Sequence, residues 1–385
     1  MPGYEVIGAE EKEAVVSIFD EGGGILFRHG FESSRGGSFK VKDFEEAFQK
    51  RFCGRKALAV TSGTAALRVA LAALGIGPGD EVLVPAFTFV ATYEAVIEAG
   101  AKPIVVDVDS SLNMDPTAAS KKISKATKAI LVVHMLGTPA DMVALSKISH
   151  SYGIALIEDV AWGCGGSVNG ISLGCWGDAA AFSFDFAKTI TTGEGGMVLF
   201  QRETDWAAGS AWHDHGHENN PNVPRWEDTR SGAGFNFRMS ELQGAVGLVQ
   251  LSKLDYIINK QRGCKNALWD VLSDFNFTLR SEPDGSNDTA DALVFYVEDR
   301  LAASNLRSSF LEDGISTKIL PEATKWHFAG DWSHMRTAIQ GSSTLESDFQ
   351  PSRYYLEKAV ALPCFVNPPD NFVNRVYNAA KRVYG

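Results

Sequence analysis

Short apolar runs alternate with helical patterns between residues 56 and 200, and this alternation constrains the fold more than any other feature of the chain. Between the first two runs, Leu67, Ala70, Leu71 and Leu74 recur at the spacing of one helical face. Nearly continuous apolar strands separated by helices are typical of a parallel sheet that is covered on both faces. The runs that we predict to be strands are 57–60, 81–84, 104–106, 129–133, 154–157, 179–184 and 197–200.

Size and composition place the chain among ordinary globular proteins. Its 385 residues correspond to two domains at roughly 150 residues per domain, and 45% of them are hydrophobic. Disordered, collagen-like and solenoid classes are therefore excluded. Lys and Arg number 36 against 47 Asp and Glu, and the net charge of −11 argues against nucleic acid as a partner.

The cysteines indicate a reducing compartment. The five of them are widely separated and contain no CxxC spacing, which argues against a disulfide framework or a zinc knuckle. Residues 1–12 have neither the basic region nor the apolar stretch of a secretion signal, and no later segment has the apolar length of a membrane span. We therefore expect a cytoplasmic protein with no membrane insertion.

The pattern changes after residue 200. The stretch 205–234, rich in Trp, His, Asn and Pro, predicts a long surface loop, and 239–258 has the apolar spacing of a helix. Short strands mixed with helices follow. We predict a large α/β domain over residues 1–260 and a smaller α+β domain over 261–385.

Polar residues follow the predicted strands at the edge where ligands bind in open α/β sheets. Ser62, Gly63 and Thr64 precede a helix, whose free N–H groups suit a phosphate, although a plain capped helix start explains the same residues. Glu158 and Asp159 end a buried strand, where an unpaired carboxylate is costly. At least one of these acids should meet a cation, and a helix cap or a structural ion pair is the alternative.

Lys188 lies just after a further apolar run, among aromatic and small residues. Desolvation would lower the pKa of its amine and make it a nucleophile, although a surface lysine at a turn is the simpler alternative. A phosphate seat, a buried acid and an activated lysine at successive strand ends are what pyridoxal phosphate requires. The three motifs together favour a site for that cofactor.

Five segments carry a family likeness: TSGTAAL at 61–67, GPGDEVLVPAFTFVAT at 77–92, ED at 158–159, KTITTGEGG at 188–196 and FNFRMSELQ at 235–243. They resemble the DegT/DnrJ/EryC1/StrS family of sugar aminotransferases, which are fold-type I pyridoxal-phosphate enzymes, and they occur in the family's order. The resemblance implies an α/β/α large domain with a mostly parallel sheet, a smaller α+β C-terminal domain, and transamination.

The resemblance also implies roles for single residues around the cofactor ring. Lys188 would bind the cofactor covalently and then act as the general acid and base of the proton shift. Asp159 would pair with the pyridine nitrogen and keep it protonated. Phe89 would stack on the ring face, although a Phe at a strand end is more often part of the core.

The phosphate contacts that the resemblance implies come from two subunits. Ser62, Gly63, Thr64 and Ser183 would hold the phosphate from one subunit, and Asn236 would reach it from its neighbour. We therefore expect a homodimer with shared active sites.

Trp162 departs from the family pattern. Members usually carry Gln or His three residues after the aspartate, near the phenolic oxygen of the cofactor, and an indole N–H can donate a hydrogen bond but cannot accept one. We still place Trp162 among the cofactor contacts, in a pocket of altered shape.

Four segments bear on the substrate: MPGYE at 1–5, KTIT at 188–191, DHGH at 214–217 and WHF at 326–328. Within the family they most resemble members that aminate carbon eight of an octulosonate sugar of lipopolysaccharide. This resemblance implies a sugar aldehyde as acceptor and glutamate as donor. Alternate histidines at 213, 215 and 217 could ligate a metal, bind the sugar or serve packing. We expect no metal, and we assign His215, His217, Arg238 and His327 to the substrate, although Arg238 could equally fix the dimer.

Two alternatives to this substrate stay open. One is a nucleotide-linked 4-keto-6-deoxy sugar, as in perosamine synthesis. The other is a protein that binds pyridoxal phosphate as a sensor or scaffold without turnover. A nicotinamide dehydrogenase lacks support, because no GxGxxG opens a helix after the first strand.

Overall fold

A computed structural model describes residues 2–220, 222–339 and 349–385. Its centre is a seven-stranded sheet with the order β1-β9-β8-β5-β4-β2-β3, and β9 alone among these seven runs antiparallel to its neighbours. The strands of the structure are β1 (Lys56–Val60), β2 (Glu81–Pro85), β3 (Lys102–Val106), β4 (Thr127–Val133), β5 (Ala155–Asp159), β6 (Ser167–Val168), β7 (Ile171–Ser172), β8 (Ala179–Ser183), β9 (Gly196–Phe200), β10 (Thr278–Leu279), β11 (Ser286–Asn287), β12 (Ala292–Tyr296) and β13 (Ala359–Pro363). The seven predicted strands are confirmed as the seven strands of the central sheet.

Helices cover both faces of this sheet. The helices of the structure as a whole are α1 (Ala9–Asp20), α2 (Lys40–Arg51), α3 (Gly63–Ala73), α4 (Ala91–Glu98), α5 (Pro116–Lys122), α6 (Met142–Tyr152), α7 (Glu203–Trp212), α8 (Glu241–Ser252), α9 (Leu254–Leu272), α10 (Arg300–Glu312), α11 (Thr324–His327), α12 (Arg336–Ile339), α13 (Gln350–Glu357) and α14 (Phe372–Tyr384). Within the described residues, none of these helices is long and apolar enough to cross a membrane.

Alternate side chains of each strand enter two separate cores. In β1, Leu58 and Val60 belong to the core beneath α3, whereas Ala57 and Ala59 belong to the core beneath α2. Because successive side chains of a strand point to opposite faces, a strand that is buried on both sides must be apolar throughout. This explains why the runs in the sequence are continuous instead of alternating.

Only the beginning of the segment 205–234 differs from the predicted loop, since residues 213–220 and 222–234 form no regular element beyond the short helical turn Arg225–Glu227. Helix α7 occupies its beginning, and Trp206 anchors the helix by donating its Nε1–H to the Ala57 carbonyl at 3.1 Å. Gly209 lets the helix approach the sheet, since a Cβ there would lie 2.7 Å from the Phe200 ring. The contact is made through one large and several small residues, so the sequence shows no apolar stripe.

The predicted helix over 239–258 is two helices in the structure. Ser240 caps α8, and α8 ends where Lys253 donates to a Glu11 carboxylate oxygen at 2.7 Å. Helix α9 begins at Leu254 and continues to Leu272. The division of the chain at residue 260 therefore falls inside α9, and it stays a prediction.

The C-terminal part has its own core. Strands β10, β12 and β13 form an antiparallel sheet, and Phe295 of β12 packs with Leu268 of α9, Leu306 of α10 and Val376 of α14. The predicted fold class, an α/β/α unit with a mostly parallel sheet followed by a smaller α+β part, is confirmed.

Candidate active site

A cavity of about 310 Å³ lies at the carboxyl ends of the parallel strands. Its volume is at the lower end of the roughly 300–1,000 Å³ typical of small-molecule sites. The residues after β1, β2, β5 and β8 line it, since the carboxyl ends of parallel strands meet at one edge of the sheet. Motifs that are far apart in the sequence therefore meet in one place.

One end of the cavity is built for an anion. Ser62 caps α3 by accepting a hydrogen bond from the Ala65 N–H at 3.0 Å, so the capping interpretation is correct for its hydroxyl. The N–H groups of Gly63 and Thr64 have no hydrogen-bond acceptor among the described residues, as expected in a first helical turn. A Cβ on Gly63 would lie 2.7 Å from the Ser183 Cβ, so only glycine leaves this end open.

Asp159 and Glu158 point into different surroundings. Asp159 lines the cavity, accepts a hydrogen bond from the Thr92 hydroxyl at 3.1 Å and another from the Ala161 N–H at 3.1 Å. Burial raises the pKa of its carboxyl, and these hydrogen bonds and the charge of Lys188 only partly offset it. A cation placed against Asp159 would therefore be strongly favoured.

Glu158 is a structural acid. Its carboxylate accepts hydrogen bonds from the N–H groups of Gly174, Trp176 and Gly177, each at 2.8 Å, and contacts His134 Nε2 at 3.3 Å. Burial works against ionisation, but the His134 contact and the N–H donors outweigh it and hold the pKa below the ordinary value. His134 accepts from the Ala140 N–H at 3.1 Å, so this buried histidine has partners at both ring nitrogens.

Lys188 has the character of a reactive amine. Its Nζ lies 3.4 Å from the centroid of the Trp162 ring, and no hydrogen bond joins it to the described residues. Burial lowers the pKa of the amine to about 8, while the charges of Asp291, Asp159 and Asp185 act in the opposite direction. About a tenth of this amine is therefore unprotonated at pH 7, far more than for an ordinary lysine.

Two rings form the outer wall of the cavity. Phe89 is 42% exposed, and its ring centroid lies 5.5 Å from that of His327. Burial lowers the pKa of His327 to about 4, so its imidazole is neutral at pH 7. The half-exposed Phe89 is therefore not a core residue of this chain, and its face is free to pack against a ligand.

Four of the predicted site residues lie away from this cavity. Asn236 and His215 are exposed, His217 contacts Asp228 at 3.1 Å, and Arg238 pairs with the buried Asp214. Across 2–220, 222–339 and 349–385, no group of three or more His, Cys, Asp or Glu side chains is placed to hold a metal ion.

The sequence pattern did not single out several residues of the site. Thr92 entered only as the last residue of the family segment 77–92, although a threonine at the start of an otherwise apolar helix indicates a polar contact. Glu194 lines the cavity from the glycine-rich tail that follows Lys188. Asp291 and Lys318 approach from the C-terminal part and belong to no motif, so nothing in the sequence singled them out.

The donor set fits pyridoxal phosphate. The open helix start beside Ser183 suits the phosphate, Asp159 suits a protonated ring nitrogen, and the Lys188 amine suits the aldehyde. Phe89 supplies a flat apolar face at the cavity wall. Fold and site together define the class of fold-type I pyridoxal-phosphate enzymes.

Comparisons with known proteins agree. The model of the DegT/DnrJ/EryC1/StrS aminotransferase family matches residues 30–381, and the chain belongs to this family. It is 34% identical to the GDP-perosamine synthase of Vibrio cholerae over 270 residues, 67% of this chain and 68% of that protein, and 41% identical to the GDP-perosamine synthase of Caulobacter vibrioides over 217 residues. The match to the Caulobacter vibrioides protein covers 56% of this chain and 57% of that protein. The chain thus spans little more than half the length of that relative.

A solved structure extends the likeness to nearly the whole chain. DesV of S. venezuelae superposes with a TM-score of 0.84 at 27% identity, over 99% of this chain and 96% of DesV. The family and the fold expected from the sequence are thereby confirmed. The closer resemblance to members that aminate an octulosonate sugar stays a prediction.

Proposed function

We propose that this protein is a pyridoxal-phosphate-dependent aminotransferase that transfers an amino group, from glutamate as donor, to a keto- or aldehyde-sugar. The observation that carries the proposal is the buried amine of Lys188, with its pKa near 8, in one cavity with Asp159 and the open anion seat at Gly63. Family membership supports the same reaction.

Each residue of the cavity has a separate role in the proposed reaction. When bound, pyridoxal phosphate supplies an electron sink for breaking a C–H bond next to the transferred nitrogen. Lys188 would hold the cofactor through its Nζ, and the same Nζ would accept and return the proton of that C–H bond. Asp159 keeps the ring nitrogen protonated because a buried carboxylate needs a cation. Phe89 packs on the ring.

The phosphate seat combines backbone and hydroxyl donors. The N–H groups of Gly63 and Thr64 lie at the positive end of the α3 dipole, where an anion is favoured. Ser183 borders the same end of the cavity, and the Ser62 hydroxyl holds the first turn in place. Trp162 fills the position near the phenolic oxygen, where it can only donate.

The acceptor is a sugar whose identity the relatives narrow. The two GDP-perosamine synthases favour a nucleotide-linked 4-keto-6-deoxy sugar, which was the alternative to an 8-oxo octulosonate. His327 lies at the cavity wall beside Phe89 and is a substrate contact in either case. His215, His217 and Arg238 do not border the cavity of their own subunit.

A shared dimer site accounts for the residues that lie outside the cavity. Asn236 is exposed, and Phe235 beside it is 50% exposed. Further exposed apolar side chains lie at Tyr4 and Phe186, and Phe186 lies close to Lys188 in the chain. The rings of Tyr4 and Phe186 pack edge to face with centroids 5.9 Å apart, and such an exposed apolar pair suits a subunit interface. In a two-fold dimer Asn236 would enter the partner's phosphate seat.

Borohydride trapping tests the central assignment. The purified protein should be yellow, and reduction should fix the cofactor on Lys188, as peptide mapping by mass spectrometry would show. Lys188→Ala is the matched control that should bind cofactor without fixing it. Cofactor on another lysine, or none bound, contradicts the proposal.

The half-reactions separate an enzyme from a sensor. Glutamate should convert the bound cofactor to its amine form, and a panel of nucleotide-linked keto-sugars and the 8-oxo octulosonate should reverse the change. Asp159→Asn should slow both directions by orders of magnitude while the fold persists, because the charge at the ring nitrogen is lost. A protein that binds cofactor but shows neither half-reaction is the sensor.

Mixed dimers test the shared site. Asn236→Ala and Lys188→Ala subunits, combined, place both lesions in one site and leave the other intact. Verified mixed dimers should regain activity that neither parent has.

The expected cytoplasmic location stays a prediction.

A further inference from the structure

The indole of Trp162 is contacted by two ammonium groups. Lys188 Nζ lies 3.4 Å from the ring centroid and Lys318 Nζ lies 5.0 Å from it. Lys318 in turn donates to Asp291 Oδ1 at 2.7 Å. A chain of close contacts thus runs from the reactive lysine through the indole to an ion pair in the C-terminal part.

The carboxylate of Asp291 is buried, and its hydrogen bonds satisfy only one of its two oxygens. Its side chain is 1% exposed, and its Oδ2 is a buried oxygen with no hydrogen-bond partner among the described residues. It is held in place on two sides, because Cys364 N–H donates to its carbonyl at 3.4 Å and a Cβ on Gly137 would lie 2.9 Å from its Cβ. A buried carboxylate oxygen that makes no hydrogen bond acts on its surroundings through its field.

The charges that face Lys188 come from four directions. Asp159 ends β5, Asp185 follows β8, Asp291 precedes β12, and Lys318 lies after α10. His327 also faces this amine, but its imidazole is neutral at pH 7 because burial lowers its pKa to about 4. Burial opposes the charge on Lys188, and Asp291 is the strongest of the charges that counteract it, whereas Lys318 adds to the effect of burial.

We propose that Asp291 is a positioning residue for Lys188: the charge of its buried carboxylate keeps the amine cationic on the face of the Trp162 indole, and Lys318, which pairs with Asp291, limits how much of that charge the amine feels. The inference rests on the proposed function only in taking Lys188 as the reactive amine. The C-terminal part then governs how readily the lysine of the large sheet becomes a nucleophile.

The test measures the Lys188 amine directly on the full chain stripped of cofactor. Formaldehyde with dimethylamine–borane methylates only the neutral amine, and mass spectrometry of the Lys188 peptide gives the rate at each pH. Asp291→Asn should lower the midpoint of this profile by about one pH unit, which at pH 7 makes methylation about fivefold faster. Asp288→Asn is the matched control: this carboxylate is also buried, pairs with Lys265 at 2.6 Å, and should leave the midpoint unchanged.

Second variants separate charge from structure. Asp291→Asn combined with Lys318→Met removes both charges, and the midpoint of the methylation profile should return part of the way to that of the parent protein. If the variants instead acted by loosening Trp162, their effects would add and the double variant would be shifted further than Asp291→Asn alone. Lys318→Arg should leave the midpoint of the methylation profile at its value in the parent protein. Should Asp291→Asn fail to fold, Lys318→Met alone must raise the midpoint, because a nearby cation is lost.

The outcomes are decisive and independent of the proposed function. An unchanged midpoint in Asp291→Asn, or a double variant shifted further than the single one, overturns the positioning role. Absence of cofactor on Lys188 after borohydride overturns the proposed function, yet leaves the methylation profile of this amine fully interpretable.

Discussion

Asp214→Asn should loosen the segment 213–238, which carries Asn236. The Asp214 side chain has no exposed surface, and its carboxylate meets Arg225 through two contacts at 2.5 and 2.8 Å, Arg238, and His29 at 3.1 Å. Burial works against ionisation, but these partners hold the pKa of Asp214 far below its ordinary value. The carboxylate is therefore charged at neutral pH.

The magnitude follows from how far each partner is buried. Removing one member of a buried ion pair costs about 3–5 kcal/mol because the remaining charge loses its partner. Arg225 is 34% exposed and can be rehydrated, whereas Arg238 is only 13% exposed, and so we expect the lower figure, about 3 kcal/mol. Such a loss of local stability corresponds to a more than hundredfold faster opening, at about 1.4 kcal/mol per tenfold.

Hydrogen exchange followed by mass spectrometry measures this opening. The reporter amides are Phe235 N–H, which donates to the Trp212 carbonyl at 2.8 Å, and Phe237 N–H, which donates to the His213 carbonyl at 2.9 Å. Both should exchange faster in Asp214→Asn by about two orders of magnitude. Asp205→Asn is the control, because the partner of Asp205 is Arg202, which is 62% exposed, and such a pair contributes little. Unchanged exchange in the Asp214 variant refutes the reasoning.

Three further outcomes are expected. Gly63→Ala should weaken cofactor binding at least tenfold in a fluorescence titration, because the new methyl group meets the Ser183 Cβ at 2.7 Å; equal affinity speaks against the anion seat. Glu158 has a folded pKa below its unfolded value, so its stabilisation is complete above the unfolded pKa, about 4.5, and is lost as the pH falls through the folded pKa. Glu158→Gln should therefore lower the melting temperature at pH 7 and flatten its fall in acid, and an acid limb as steep as that of the parent protein argues otherwise. Phe48→Ala should cost about 3–5 kcal/mol of unfolding free energy in urea, because Phe48 is fully buried and stacks on Phe52; a loss below about 1 kcal/mol contradicts this packing.

The central sheet could be predicted because its strands are buried on both faces. Such strands must be apolar at every position, and seven continuous apolar runs are visible in the sequence without any knowledge of what packs on them. Helix α7 could not be predicted in this way. Its contact with the sheet depends on Trp206 and on the absence of a side chain at Gly209, and neither leaves a periodic pattern.

The main chemistry of the site was also determined by local sequence. Ser62 and Gly63 follow β1, Asp159 ends β5 and Lys188 lies in the segment after β8. Because the carboxyl ends of parallel strands share one edge, the order of the chain alone places these residues together. The residue pattern alone did not distinguish Glu158 from Asp159, because adjacent residues of a strand face opposite sides and only the packed structure shows which side holds the cavity. The family resemblance is what pointed to Asp159.

Only the tertiary structure revealed the charges behind the lysine. Asp291 and Lys318 lie more than a hundred residues beyond Lys188. Lys318 reaches the Trp162 ring and pairs with Asp291, which packs against Gly137. Electrostatic coupling depends on distance in space and on burial, and neither quantity is written in the order of residues. The sequence by itself thus determined the sheet and pointed to Lys188 as the candidate reactive group, whereas the packing of the C-terminal part decided the charges that surround this lysine.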